Sequence, residues 1–167
     1  IDVARSFGAT VIAAASTPER CAAAVARGAT ATIAYEDEDL KVKARELGGG
    51  GIDVAIDPVG GRHTEQALRA LRQGGRLAII GFAAGDIPRL PTNQVLLNNR
   101  TVVGIDWGAW AMRNPDAQSA LLAEVMDEVS AGRLNPPEPT RRPLAEAPAV
   151  VRDLLDRKIS GKVVLVP

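Results

Sequence analysis

Short apolar runs alternate with helical segments along most of this sequence, and this alternation limits the possible folds more than any other feature. The run at residues 52–57, for example, precedes a helical segment at 64–72 and a second run at 76–80. The runs are continuous rather than alternating in hydrophobicity, which is typical of parallel strands buried on both faces of a sheet. Strands joined by helices in this way form right-handed βαβ units. The sequence therefore predicts an α/β fold with a doubly wound parallel sheet.

Helix signals and turn residues give the approximate bounds of the predicted elements. Residues 1–8 are typical of the end of a helix that Gly8 closes. A second helix is expected to begin after Thr17, its cap, with Pro18 at the first helical position. A proline-rich connector at 135–139 precedes a final helix and strand. Predicted strands occupy residues 10–15, 30–34, 52–57, 76–80, 101–106 and 162–166, and the other predicted helices occupy residues 40–47, 64–72, 114–132 and 144–157.

Charge and cysteine content exclude several classes of protein. Twenty basic side chains balance twenty acidic ones, so nothing in the charge favours a nucleic-acid surface or an anionic membrane. The longest apolar runs are too short to span a bilayer, and no secretory signal opens the chain. Cys21 is the only cysteine, which excludes an internal disulfide and a multi-cysteine metal site. These features predict a cytoplasmic protein without a bound metal.

Five stretches of the chain, in this order, resemble the medium-chain dehydrogenase/reductase superfamily. The shorter stretches 81–85 and 104–110 are most similar to its zinc-independent quinone oxidoreductase branch. The resemblance covers the whole chain, and its specificity lies in the order and spacing of the motifs rather than in any one of them. The matching stretches are Ser-Thr-Pro-Glu-Arg at 16–20, Tyr35, Gly-Ile-Asp-Val-Ala-Ile-Asp-Pro-Val-Gly-Gly at 51–61, the segment 71–82, and the ending 143–165.

The resemblance implies a Rossmann-like sheet that lacks its first strand and its glycine-rich loop. Domains of this family open with a strand and a glycine turn, and the pyrophosphate binds at the following helix N-terminus. Residues 1–8 resemble the end of that helix, so we expect the strand and turn upstream, together with a GroES-like substrate domain. Residues 1–132 would form the truncated dinucleotide-binding domain, and residues 133–167 would return to the substrate domain.

The strand that is expected upstream is central in the family's sheet order. Its loss would remove stabilisation comparable to that of an entire domain. We therefore expect another segment to fill its place, either an associated cleaved piece or another chain. Direct pairing of the second and fourth family strands is the less favoured alternative.

The end of the first strand in this chain bears on the choice of cofactor. Sites that prefer NAD place an acidic side chain there to accept from the ribose 2′-hydroxyl. Here Ala15 or Ser16 occupies the position, followed by Thr17 and Arg20. Hydroxyls and a guanidinium bind a 2′-phosphate that a carboxylate would repel. The family match would place Ser16, Arg20 and Tyr35 around the 2′-phosphate and adenine ribose of NADP(H), and Thr17 is also among the implied cofactor-binding residues. Helix capping by Ser16 and Thr17 and a solvated Arg20 explain the same residues without a cofactor.

The resemblance also implies that the cofactor passes over the carboxyl ends of three later strands. Ligands of parallel sheets lie outside these ends, and glycine allows close approach of the backbone. For the glycines taken alone, tight turns are the alternative explanation. The further implied cofactor-binding residues are Val59, Gly60, Gly61, Gly81, Phe82, Ala83, Ile105, Asp106 and Trp107.

The other noticeable polar and aromatic residues have simple structural explanations. We interpret Asp57 as a structural residue at a strand end and His63 as a surface residue. Cys21 is expected to be a small packing residue. Trp110, with Trp107, would line either the nicotinamide or substrate cleft or a packed interface.

The resemblance implies that the intact protein transfers a hydride from NADPH to a quinone or an activated alkene or carbonyl. The hydride chemistry belongs to the cofactor, and no residue of this chain is identified as a proton donor. The chain by itself is therefore expected to be inactive. Residues 101–106 form the predicted outermost strand, whose family counterpart pairs across a two-fold axis in a homodimer. Two alternatives stay open: a zinc-dependent alcohol dehydrogenase and a non-catalytic nucleotide-binding or interaction module.

Overall fold

The computed structural model describes residues 1–156, 158–159 and 161–167. Its helices and parallel strands confirm the predicted α/β class. The strands are β1 (Ile12–Ala15), β2 (Ala31–Ala34), β3 (Ile52–Asp57), β4 (Leu71–Ile79), β5 (Thr101–Gly104), β6 (Thr140–Pro143) and β7 (Val163–Val166). The helices are α1 (Asp2–Ser6), α2 (Pro18–Ala26), α3 (Leu40–Leu47), α4 (Arg62–Ala70), α5 (Thr92–Leu96), α6 (Trp107–Arg113), α7 (Pro115–Ser130) and α8 (Ala147–Leu155), with a short 3₁₀ helix at Leu144–Glu146.

The first five strands form two separate parallel sheets. Strand β1 pairs with β2, and β4 lies between β3 and β5 in a three-stranded sheet. In the part of the chain that the structure describes, β1 and β3 each have a single neighbour. The central strand of a doubly wound sheet would lie between these two. Among the described residues, the second and fourth strands of the family's sheet, β1 and β3, are therefore not paired directly with each other. That another segment lies between them stays a prediction.

Two clusters of buried side chains hold the first compact unit, Ile1–Ala123, together. One cluster joins Ile33 of β2 to Leu40 of α3 and Ala70 of α4, so α3 connects the two sheets. The other lies beneath β4, where Leu68, Leu71 and Leu77 are fully buried. Burial of aliphatic side chains is the main stabilising contribution to such a core. Cys21 is also buried, in agreement with its predicted packing role.

The boundary between α4 and β4 differs from the predicted one. The sequence places Leu71 and Arg72 in the helix, whereas the structure ends α4 at Ala70 and begins the strand at Leu71. Leu71 is fully buried in the sheet core. The Arg72 guanidinium donates to the carbonyls of Gly48 and Gly51, both at 2.7 Å. These tertiary contacts outweigh the helical propensity of the two residues.

The region after β4 contains two helices, α5 and α6, that the sequence did not predict. Strand β5 is also shorter than predicted, because it ends at Gly104. Asp106 lies outside the strand, and its carboxylate accepts a hydrogen bond from the Ala109 N–H at 3.0 Å. Asp106 is thus the N-cap of α6, and capping of this kind fixes where a helix begins.

The second compact unit comprises Glu124–Pro167. Its strands β6 and β7 pair in parallel, and α8 connects them as in a βαβ unit. Strand β6 was not predicted, and the predicted end of the last helix at residue 157 lies outside the described residues. The unit boundary falls within α7, and the predicted division after residue 132 stays a prediction.

Residues 1–156, 158–159 and 161–167 contain neither a membrane-spanning helix nor a cluster of metal ligands. None of the helices there has the length and apolar character needed to cross a membrane. No three His, Cys, Asp or Glu side chains in that part of the chain come together as ligands for a metal ion.

Candidate functional site

The carboxyl ends of β1 and β2 bring together the residues predicted to hold the adenosine end of a cofactor. Arg20 Nη1 donates to Ser16 Oγ at 3.1 Å. Thr17 caps α2, since its Oγ1 accepts from the Arg20 N–H at 3.3 Å. Tyr35 follows β2, and its N–H donates to the Ala15 carbonyl at 3.1 Å. A hydroxyl, a guanidinium and a phenol ring therefore share one edge of the first sheet.

Glu19 adds a negative charge beside this group. Hydrogen bonds from its own backbone N–H and from the Thr17 hydroxyl hold the pKa of its carboxyl below the usual range. The carboxylate is thus ionised at the N-terminus of α2, where the helix dipole favours an anion. Glu19 thereby stabilises the start of α2.

His63 lies against Tyr35, a contact that the sequence did not predict. The two ring centroids are 4.4 Å apart and the planes are inclined by 50°. The imidazole is half-buried with its Nδ1 atom shielded from solvent, so the predicted surface residue is partly enclosed by its neighbours. Burial and the charge of Arg62 lower its pKa, whereas Glu36, Asp57 and Gln66 act in the opposite direction. No local pattern signals this contact, because β2 and α4 meet only in the folded chain.

The loop that follows β3 is held by the carboxylate of Asp57. This side chain is buried, with 6% of its surface exposed. Its Oδ1 accepts from the N–H groups of Val59 at 2.8 Å and Gly60 at 3.0 Å. Its Oδ2 accepts from Thr64 Oγ1 at 2.5 Å, and Thr64 is fully buried. These contacts agree with the interpretation of Asp57 as a structural residue at the strand end.

The loop after β3 and the segment after β4 are bonded to each other. Both carry residues that the resemblance assigns to the cofactor. Because the two strands are parallel neighbours, their carboxyl ends lie at the same edge of the sheet. Backbone hydrogen bonds run from Ala83 to the Pro58 carbonyl at 3.0 Å, from Ala84 to Val59 at 2.8 Å, and from Gly61 to Asp86 at 3.0 Å.

This contact explains two of the implied cofactor glycines as packing residues. A Cβ atom on Gly60 would lie 2.9 Å from the Asp86 carbonyl oxygen, and one on Gly81 would lie 3.2 Å from that of Pro58. Gly61 differs, since the nearest atom to its Cβ position is 3.8 Å away. Its φ of 60° still favours glycine. Gly61 therefore leaves space beside the loop, and its assignment to the cofactor stays a prediction, as do those of Gly60 and Gly81.

The segment after β5 completes this edge of the three-stranded sheet. The Ile105 N–H donates to the Ile79 carbonyl at 2.9 Å. Asp106 caps α6, and Trp107 Nε1 donates to Gln118 Oε1 at 3.1 Å. Trp107 keeps 57% of its surface exposed, and Phe82 of the neighbouring segment keeps 41%. Two aromatic side chains thus remain accessible near the carboxyl ends of β4 and β5.

Comparison with known proteins identifies the family. The family model described as zinc-binding dehydrogenase matches residues 1–125, which is most of the chain. The chain belongs to the medium-chain dehydrogenase/reductase superfamily, in its quinone oxidoreductase branch. The predicted family is therefore confirmed. The family description names zinc, but the residues that the structure describes hold no group of metal ligands and so do not fit that ion.

Members of this superfamily resemble the chain over nearly its whole length. Quinone oxidoreductase-like protein 2 of Bos taurus is 36% identical, over 99% of this chain and 48% of the relative. A 2-haloacrylate reductase of a Burkholderia species is 33% identical, over 98% of this chain and 50% of the relative. The quinone oxidoreductase of Thermus thermophilus, solved also with NADPH, superposes with a TM-score of 0.80 and 34% identity, over 98% of this chain and 52% of that one. The chain spans about half the length of these relatives.

Proposed function

We propose that this protein is an NADPH-dependent oxidoreductase that transfers a hydride to a quinone or to an activated alkene or carbonyl compound. The observation that carries the proposal is the contact between Arg20 and Ser16 at the carboxyl end of β1. A guanidinium and a hydroxyl there suit a 2′-phosphate, whereas NAD sites carry a carboxylate. The relatives named as quinone oxidoreductases and as a 2-haloacrylate reductase support the substrate class.

The residues of the site fit the cofactor in two groups. Arg20 and Ser16 would bind the 2′-phosphate, and Tyr35 would lie against the adenine ribose. The loops at the carboxyl ends of β3, β4 and β5 would hold the nicotinamide end. Bound NADPH supplies the hydride, and this chain orients it. The nicotinamide group of residues would be Val59, Gly60, Gly61, Gly81, Phe82, Ala83, Ile105, Asp106 and Trp107.

Replacement of the arginine tests the choice of cofactor. In the protein at its natural length, we expect Arg20→Ala to weaken NADPH binding about tenfold to a hundredfold, which corresponds to one charge-assisted hydrogen bond. Binding of NADH should change little, because NADH has no 2′-phosphate. Titration calorimetry with both nucleotides measures the difference.

Arg45→Ala provides the matched control, because Arg45 is an exposed basic residue on α3. It should leave both affinities unchanged. Equal losses of NADPH and NADH affinity in Arg20→Ala would contradict the assignment. A preference for NADH in the unmodified protein, together with bound zinc, would instead favour the alcohol dehydrogenase alternative.

We further propose a homodimer formed through the outer edge of β5, since a paired edge strand cannot recruit other chains. Strand β5 pairs with β4 on one side. That residues 1–167 are inactive by themselves, and that the protein is cytoplasmic, stay predictions.

A further inference from the structure

We propose that Asp57 is a positioning residue for the nicotinamide end of the cofactor site. Its carboxylate fixes the loop after β3, and that loop in turn fixes the segment after β4. The inference rests on the proposed NADPH-dependent function, because it concerns how this chain presents those two segments to the nucleotide. Asp57 itself is not proposed to contact the reacting atoms.

The hydrogen bonds of Asp57 show how firmly the loop is held. Two of the three groups that donate to its carboxylate are the N–H groups of Val59 and Gly60, at 2.8 and 3.0 Å. The third is the hydroxyl of Thr64 in the first turn of α4, at 2.5 Å. The carboxylate therefore ties the loop to both the strand before it and the helix after it. Without this acceptor, buried donors would lack partners, which is costly in a protein interior.

The segment after β4 has little freedom to move independently of this loop. Three backbone hydrogen bonds connect the two, from Ala83, Ala84 and Gly61. The close approach at Gly60, where a Cβ atom would lie 2.9 Å from the Asp86 oxygen, shows that the segments are in van der Waals contact. A displacement of the first segment must therefore displace the second, which carries Gly81, Phe82 and Ala83.

The adenosine end of the site lies on a different sheet. Ser16 and Arg20 follow β1, which pairs with β2 and has no hydrogen bond to β3 in the part of the chain that the structure describes. Loss of the Asp57 carboxylate should therefore affect the nicotinamide end and spare the 2′-phosphate end. A residue that only stabilised the fold would affect both ends equally.

Two ligands that share the adenosine end separate these possibilities. NADPH carries the 2′-phosphate and the nicotinamide, whereas adenosine 2′,5′-bisphosphate keeps the adenosine and its 2′-phosphate but lacks the nicotinamide. In the protein at its natural length, we expect Asp57→Ala to weaken NADPH binding about tenfold to a hundredfold. Affinity for the bisphosphate should stay within about threefold, which is within the scatter of substitutions remote from a contact. Both affinities are measured by titration calorimetry.

Asp57→Asn is the matched control. Its amide oxygen can accept from Val59 and Gly60, and its NH₂ group can donate to Thr64 Oγ1, so we expect it to restore most of the NADPH affinity. If Asp57→Ala does not fold, Thr64→Val removes one donor from the same carboxylate, with Thr64→Ser as its control. We expect Thr64→Val to lower NADPH affinity selectively by several-fold, as loss of one hydrogen bond would.

The outcomes distinguish this inference from the proposed function. Equal loss of both ligands in the folded variants, or no loss of NADPH affinity, would overturn the positioning role while leaving the proposed function intact. If the unmodified protein binds neither NADPH nor the bisphosphate, the proposed function fails and the inference fails with it. Selective loss of NADPH affinity that Asp57→Asn restores supports the role.

Discussion

His63 is the only histidine of the chain, and its imidazole lies half-buried against the ring of Tyr35. Burial and the neighbouring Arg62 lower its pKa. The unfolded chain, whose histidine titrates near the ordinary value of about 6.5, therefore binds a proton at higher pH than the folded chain does. The free energy of unfolding must then fall as pH falls through that value, because protonation favours the unfolded state. Above it, this contribution to stability is fully present.

We expect proton NMR to show a single imidazole titration with a midpoint below about 6.5. In urea unfolding experiments, the free energy of unfolding should decrease as the pH is lowered from about 7.5 to 5.5. Histidine titrates in this range, whereas ordinary carboxyl groups titrate below it. His63→Gln has no imidazole to titrate, so it should flatten the dependence over that interval. A midpoint at or above the ordinary value, or an equally steep dependence in the variant, would contradict the expectation.

At the scale of single elements, the backbone N–H groups along β5 point alternately toward β4 and away from it. The Ile105 N–H donates to Ile79 of β4, so the N–H of the preceding residue, Gly104, points away from β4. Gly104 is exposed, and nothing lies within 4 Å of its Cβ position. Its outward N–H is therefore available for the proposed pairing of two copies across β5.

Gly104→Pro removes that outward donor, and no hydrogen bond to β4 depends on it. We expect sedimentation analysis of the protein at its natural length to show a shift from dimer to monomer. Gly104→Ala keeps the N–H and finds open space for its methyl group, so it should remain dimeric. A proline variant that stays dimeric would place the interface elsewhere, and a monomeric unmodified protein would refute the dimer.

At the scale of the whole molecule, the strands that the structure describes in the first unit form two separate sheets, one ending at β1 and the other at β3. Ala55 packs against the buried cluster beneath β4. Strand alternation therefore directs Val54 and Ile56 to the opposite face, where they are 53% and 64% exposed. Exposed aliphatic side chains on a strand of a parallel sheet are unusual, because parallel sheets are normally covered on both faces. We expect further chain to cover this face in the protein at its natural length.

The double variant Val54→Thr, Ile56→Thr tests this expectation. In residues 1–167 alone, we expect it to change the free energy of unfolding by less than about 0.5 kcal/mol per site, as exposed positions allow. In the protein at its natural length, where the face would be buried, each change should cost about 1–3 kcal/mol. Urea unfolding of both forms measures the difference, and equal effects in the two would show that this face stays uncovered.

The sequence by itself determined the order of strands and helices from α1 to β4, the parallel sheet class, the cap of α2 and the family. These features depend on local hydrophobic periodicity, capping residues and motif order, which neighbouring residues specify. Only the tertiary structure decided that Leu71 and Arg72 leave the helix for β4 and that His63 packs on Tyr35. It also showed that Gly60 and Gly81 have little room for a Cβ atom, because the loop after β3 and the segment after β4 meet there. Such features depend on contacts between residues distant in sequence, and local patterns carry no record of those contacts.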